Sequence, residues 1–323
     1  MLYVQCIGGL GNRLFIYAFA RSLQLDSGDP IVLYHTHQSE VAYYTQALRE
    51  MLPPSADVTH ISVGEGEPYM REVALRLFAY RILYKLWRTT HPGKDITALE
   101  HALQPWFNRM GLCVVTDGYL PFRRPSYLKD FACMGYFQSR RYWAHHTNEI
   151  QSELRRPDLI AEGSRSALEQ IRGTNAVCLH IRLGDYVNDP TIRQLFYVCD
   201  TGYYQRAVQA ALEQLECPVF FAFSNDPDKA RQISFSKQAN IVWMPEGEAV
   251  SDLQLMAQCR HFIMANSSYS WWAQFLGNAP DKRVYAPERW FRTDKPADLY
   301  EDTWIKIPIT PLKEVTRENR ESV

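Results

Sequence analysis

The sequence predicts an α/β protein whose parallel strands are joined by helical crossovers in two domains, and three observations predict it. An apolar run, a glycine turn and a helical pattern open the chain inside its first 25 residues. From residue 176 onward, short apolar runs alternate with helical patterns, which is the sign of strands that all point the same way. The length, 323 residues, is about twice that of a common domain.

LYVQCI (2–7) reads as a strand, GGLGN as a tight turn, and RLFIYAFARSLQL (13–25) as a helix, with Leu14, Ala18, Arg21 and Leu25 at helical spacing. PIVLYH (30–35) follows an SGD turn as the second strand, and MREVALRLFAYRILYKLWR (70–88) is a helix. Residues 89–110 hold Pro, Gly and His with little periodicity, and the span 36–135 is where variable contact loops are expected. Helical patterns return at 139–155 and 158–172. Then come strand 176–183, helix 202–215, strand PVFFAF (218–223), a helix beginning near Pro227, strand 240–244, helix 250–260, strand 262–265, helix 269–276 and strand 283–287. RRPDL interrupts the helical pattern near residue 155, giving domains of 1–155 and 156–311 and a polar tail of 312–323.

Composition narrows the function classes. Hydrophobic residues at 46% and charged residues at 22% are those of an ordinary globular chain, and a net charge of -1 argues against a general binder of nucleic acid. Any basic site must therefore be local. Seven cysteines without a CxxC pair point to a reducing compartment and buried thiols. The apolar run at the start breaks at Gly8 and lacks a basic flank, and no later run has the roughly 18 residues of a membrane span. The expectation is a soluble cytoplasmic protein, with peripheral contact at the inner face of a membrane left open.

Three strand ends carry polar groups suited to one anionic ligand. In VCLHIRLGDYV (177–187), His180 and Arg182 share a face at the end of an apolar strand, just before Gly184 and Asp185. Arginine offers a planar fork of donors to phosphate, although a strand-end arginine also makes structural ion pairs. In FSNDPD (223–228), Ser224, Asn225 and Asp226 precede Pro227, which suits a first helical turn. They fit a helix cap as well as contacts to a base edge, and Asp226 with Asp228 formally makes a DxD metal motif. In FIMANSSYSWWAQFLGN (262–278), Asn266, Ser267, Ser268 and Ser270 precede or open a helix whose free N–H groups face the same sheet edge. Serines there are also ordinary caps, and the two tryptophans read as core. Gly9, Gly11 and Asn12 of GGLGNR would let backbone and an amide approach a ligand, but no Walker or GxGxxG spacing is present.

GGLGNRLFIYAFA, HIRLGDYV, FSND and ANSSYSWW, in that order, resemble the α-1,2-fucosyltransferases of glycosyltransferase family 11, and the four motifs span residues 8–272. The resemblance implies a GT-B-like α/β fold of two Rossmann-type domains facing a cleft, with an acceptor-side N-terminal domain and a nucleotide-sugar-binding C-terminal one. It implies GDP-fucose as donor, inversion at the anomeric carbon and no obligatory metal or other cofactor. Arg182 would hold the β-phosphate, 266–270 the phosphates and 224–226 the guanine, with Asn12 near the reacting centre and Asp185 the nearest candidate base. The acceptor would be O2 of a terminal galactose on an oligosaccharide or lipid-linked glycan. Leu183 departs from the family's usual second arginine, a loss for which Arg13 and Arg193 are candidate substitutes. Two rival readings remain: a metal-dependent transferase of another nucleotide sugar using Asp226 and Asp228, and a noncatalytic glycan- or nucleotide-binding protein.

Overall fold

In the computed structural model the chain divides between Glu153 and Leu154 into two compact units. The structure describes residues 1–35, 39–53, 56–62, 70–91, 96–122, 128–293 and 297–309, without the side chains of 39–41, 62, 70–73, 185 and 191. The predicted tail, 312–323, lies outside the described residues.

The N-terminal unit contains β1 (Leu2–Cys6), α1 (Leu10–Ser27), β2 (Ile31–His35), α2 (Ser39–Met51), β3 (Val58–Ser62), α3 (Met70–Thr90), α4 (Thr97–Arg109), β4 (Leu112–Val115), β5 (Phe131–Gly135) and most of α5 (Thr147–Leu154). Its five strands are all parallel, in the order β3-β2-β1-β5-β4. The helix predicted from residue 13 begins at Leu10, because Gly8 alone makes the turn at φ +78° and Gly9 serves as N-cap. Gly11 and Asn12 therefore lie in the first helical turn.

No element is predicted between β2 and α3, or from 89 to 135. There the structure has α2, β3, α4, β4 and β5. For α4 the reason is visible: its buried face is Glu100, Gln104 and Phe107, so two polar residues hide the apolar period. Glu100 tolerates burial because its carboxylate accepts from Tyr80 Oη (2.7 Å), Thr116 N (2.8 Å) and Thr116 Oγ1 (2.6 Å).

The C-terminal unit runs through α6 (Arg165–Arg172), β6 (Asn175–Ile181), α7 (Gly184–Asn188), α8 (Pro190–Phe196), α9 (Thr201–Gln214), β7 (Pro218–Ser224), α10 (Pro227–Ala230), β8 (Asn240–Trp243), α11 (Ala249–Met256), β9 (His261–Ile263), α12 (Ser268–Leu276), β10 (Val284–Pro287) and β11 (Ile305–Ile307). The predicted helix 158–172 is shorter, with single 3₁₀ turns at Pro157–Leu159 and Glu162–Ser164 before α6. Polar side chains of α11 take over the linker's backbone bonds: Gln254 accepts from Arg156 N (2.7 Å) and Ser251 from Ala161 N (2.9 Å). The predicted helix 139–155 is likewise divided, into a 3₁₀ stretch over Arg140–His146 and α5, with Trp143 off helical geometry at φ -134°.

Six parallel strands stand in the order β11-β10-β9-β6-β7-β8. Counted along the unit, this is the 3-2-1-4-5-6 order of nucleotide-binding sheets. The chain leaves β6 for β7 and β8 on one side, then returns past it to β9 on the other. The carboxyl ends of β6 and β9 thus flank the switch point where such sheets open a crevice. Val177, Leu179 and Ile181 of β6, with Leu183 just beyond its end, face a core shared with Tyr203, Tyr204, Ala207 and Phe220. All seven cysteines are free thiols, and only Cys217 is exposed.

Candidate active site

At the C-terminal unit's switch point, α9 fixes the ends of both strands. Asp200 caps this helix by accepting from Tyr203 N at 2.7 Å. Tyr203 Oη then donates to Met264 O (2.5 Å), just past β9, and Tyr204 Oη accepts from Arg182 N (3.1 Å), just past β6. The Arg182 guanidinium lies over the Tyr186 ring, 5.3 Å from its centroid. Tyr186 Oη in turn donates to Asn266 O at 3.2 Å, directly before α12. One tyrosine of the GDYV segment therefore joins the arginine to the start of the helix. Sequence reading missed Tyr186, Tyr203 and Tyr204, which are apolar by pattern and polar only at their tips.

Leu183 packs into the core, on the face opposite Arg182, as strand alternation requires. Its backbone N–H donates to Asn225 Oδ1 at 2.9 Å, tying the end of β6 to that of β7. Gly184 makes this possible: it has φ +40°, and a Cβ there would stand 2.1 Å from Asn225 Nδ2. The Asp185 side chain lies outside the described residues.

His180 and Ser270 bond to each other, Nδ1 to Oγ, inside the unit. The Ser270 hydroxyl also accepts from Ala265 N (3.2 Å), which ties the ring to the end of β9. Burial, with the Arg182 charge second, pushes the His180 pKa down to about 3. Asn266 is buried too, its amide donating to Phe196 O (2.8 Å) and Trp290 O (2.9 Å). These three residues shape the edge from within. Ser267 caps α12, accepting from Tyr269 N at 3.3 Å, and Ser268 opens the helix. Trp271 and Trp272 are fully buried in the core.

At the end of β7, Ser224 Oγ accepts from Asp226 N (3.1 Å). Asp226 caps α10, accepting from Lys229 N (3.2 Å) and pairing with Lys229 Nζ at 3.0 Å. Lys229 holds the Asp226 carboxyl below the usual range. Asp228 pairs with Arg231 at 3.2 Å. Both acids of the DxD tripeptide are engaged by cations one turn away. Among the described residues no three His, Cys, Asp or Glu side chains gather as a metal site.

Asp252, in the first turn of α11, was not singled out by sequence because an acid there simply complements a helix dipole. The structure makes it distinctive. Burial, with Glu246 adding, pushes its pKa up to about 6 against a bond from Gly247 N to Oδ2 at 3.1 Å.

In the N-terminal unit, the switch point falls between β1 and β5, and GGLGN sits at the end of β1. Asn12 folds over Gly8, where a Cβ would come within 2.6 Å of Asn12 Nδ2. Its Oδ1 accepts from Gln138 Nε2 at 2.8 Å. Gln138 follows Phe137, which holds a left-handed φ of +49° and stacks on Phe19 at 3.8 Å. Gly9 has room on its Cα face, a Cβ there meeting Tyr44 only at ordinary contact, while Gly11 is buried.

Arg13, 1% exposed, donates from Nε to Gly8 O (2.7 Å) and from Nη1 to His35 Nδ1 (2.8 Å) and Thr45 Oγ1 (3.2 Å). Its guanidinium is thus committed to holding the glycine turn. Arg193 lies over Tyr197, 5.5 Å from the ring centroid.

Two parallel-sheet units, the second in nucleotide-binding strand order with an arginine and a helix start at its switch point, describe a GT-B-like glycosyltransferase. The family model for glycosyl transferase family 11 matches residues 116–308. The chain belongs to that family. It is 33% identical over 327 residues to the Escherichia coli O-antigen biosynthesis glycosyltransferase WbnK, covering 95% of this chain and 100% of the relative. An alpha-1,2-colitosyltransferase of Escherichia coli is 30% identical over 179 residues, 54% of this chain and 61% of the relative. The galactoside alpha-(1,2)-fucosyltransferase 1 of Saimiri sciureus is 27% identical over 208 residues, 58% of this chain and 55% of the relative. For the last two the match spans less than two thirds of the relative's length.

Proposed function

We propose that the protein transfers fucose from GDP-fucose to O2 of a terminal galactose, with inversion and without an obligatory metal ion. The observation that carries this reading is the Arg182–Tyr186–Asn266 chain of contacts, which brings a guanidinium and the start of α12 to one strand edge. In the reaction the acceptor oxygen forms its bond to fucose C1 as the C1–O bond to GDP breaks, and the electron pair leaves with the diphosphate. The growing charge on that leaving group meets Arg182 and the helix N-terminus. The acceptor's proton passes to a base, for which Asp185 is the candidate. Engagement of Asp226 and Asp228 by Lys229 and Arg231 supports the metal-free reading over the DxD rival.

The similarity to an alpha-1,2-colitosyltransferase favours one second reading, in which the transferred sugar is colitose. Colitose differs from fucose by the absence of the hydroxyl at C3, so the diphosphate chemistry would be unchanged. The deciding experiment incubates the purified chain with GDP-fucose, GDP-colitose, GDP-mannose or UDP-galactose and a panel of galactose-terminated oligosaccharides, followed by linkage analysis. An α-1,2 product from GDP-fucose is expected. Turnover only with GDP-colitose selects the second reading, and chelator-sensitive turnover restored by manganese selects the metal-dependent rival. Binding of GDP without transfer to any acceptor selects the noncatalytic reading.

A further inference from the structure

Helix α3 is apolar on two faces, and among the described residues only one of them is covered. Leu77 and Tyr80, each 6% exposed, pack onto the sheet of the N-terminal unit, with Leu83 and Tyr84 against the same core. On the other face, Leu75, Phe78, Ile82 and Leu86 are 69%, 61%, 45% and 58% exposed. Their spacing of three, four and four residues places them in an arc of roughly 80°, along about 16 Å of helix. A contiguous apolar stripe of this kind marks an interaction surface.

Charge identifies the partner. Arg81, Lys85 and Arg88, all exposed, line one flank of the stripe. The helix as a whole carries five Lys or Arg and one Glu, a local excess of positive charge on a chain whose net charge is -1. The helix beside it adds an interfacial group: α4 joins α3 through Tyr80, whose ring lies 5.8 Å from that of Phe107, and exposes 55% of Trp106. A stripe of Leu, Ile and Phe with basic side chains along its flank, and an exposed indole on the helix joined to it, is the composition of a helix that lies in a bilayer interface. Two copies of this chain meeting through the same face would set like charges against each other. No described helix is long and apolar enough to cross a membrane, which distinguishes lying on a bilayer from spanning it.

We infer that α3 docks the protein onto an anionic lipid bilayer, with Leu75, Phe78, Ile82 and Leu86 entering the headgroup boundary and Arg81, Lys85 and Arg88 meeting lipid phosphates. This inference does not depend on which sugar is transferred.

The test is vesicle sedimentation of the full chain, with phosphatidylcholine alone and with added phosphatidylglycerol, at low and high salt. Binding is expected only to the phosphatidylglycerol vesicles, with the bound fraction falling as salt rises. The double variants Phe78→Ser/Ile82→Ser and Arg81→Glu/Lys85→Glu should each weaken binding at least about tenfold, with the circular dichroism spectrum kept because these side chains are exposed. The inference fails if the wild-type chain stays in the supernatant with phosphatidylglycerol vesicles, or if it binds both vesicle types equally. It also fails if either double variant binds as the wild type does. A wild-type dimer on gel filtration that Phe78→Ser/Ile82→Ser converts to monomer would assign the face to a second copy and overturn the lipid assignment.

Discussion

At the scale of single residues, the two strand edges rest on side chains that hold other side chains. Arg182 is the group expected to meet the departing diphosphate. Arg182→Ala should retain its fold and lose about 10²- to 10³-fold in kcat, the usual consequence of removing one preorganised donor. Full turnover by a correctly folded variant would falsify that role. Gln138 acts at one remove, because its Nε2 fixes the orientation of the Asn12 amide. Gln138→Ala gives up one hydrogen bond, so kcat should fall by up to about tenfold while thermal stability changes by no more than about 1.5 kcal/mol. If kcat is unmoved while stability drops, Gln138 is a packing residue only. The motif sequences pointed to Asn12 and Arg182 but not to Gln138, since the 2.8 Å contact crosses 126 positions of chain.

At the scale of elements, the strand ends show where local pattern suffices and where it does not. Strand β6 is legible because its apolar alternation is dictated by a core on one side, and Leu183 continues the parity beyond the strand's last residue. Helix α1 begins three residues before its apolar pattern suggests, since a glycine turn needs only Gly8 at positive φ. The end of β5 was hidden for a different reason. Gly135 has φ +144°, and a Cβ there would lie 2.0 Å from Val115 O on the neighbouring strand. Gly135→Ala should therefore destabilise the protein by about 3 kcal/mol or more, combining a backbone clash with a conformation that L residues avoid. Urea denaturation reads this directly, and a loss below about 1 kcal/mol would show that the strands separate easily. A glycine near the end of a run looks like any turn in sequence; its close approach to Val115 exists only once β4 and β5 pair.

At the scale of the whole molecule, pH should act through buried neutral histidines. Burial, with nearby arginines, pushes the pKa of His35 down to about 3 and that of His60 to about 4, and His180 falls to about 3. Each ring protonates more readily in the unfolded chain. The stability they confer is therefore complete above about pH 6.5 and is lost as the pH falls from there towards 4 and 3. Asp252 has the opposite sign, because its pKa is raised to about 6: its contribution is complete below about 3.8 and lost as the pH rises through about 6. Three histidines outweigh one acid, so urea midpoints measured from pH 7 to 4 should fall, and a flat profile would contradict the buried neutral rings. Protonation of His35 also opposes the bond it accepts from Arg13, which in turn holds Gly8 O, so acid should loosen the glycine turn with the fold. The alternation of apolar runs determined an α/β chain, and four short motifs determined its family, because both depend on residue type and order alone. The tertiary structure decided the rest: two switch points, with Asn12 and Gln138 at one and Arg182, Tyr186 and the start of α12 at the other. It also committed Arg13, His180, Ser270 and Asn266 to internal bonds. Strand order and hydrogen-bond partnership are properties of distant segments brought together by burial, and no local pattern encodes which of two polar side chains will face the ligand and which will support it.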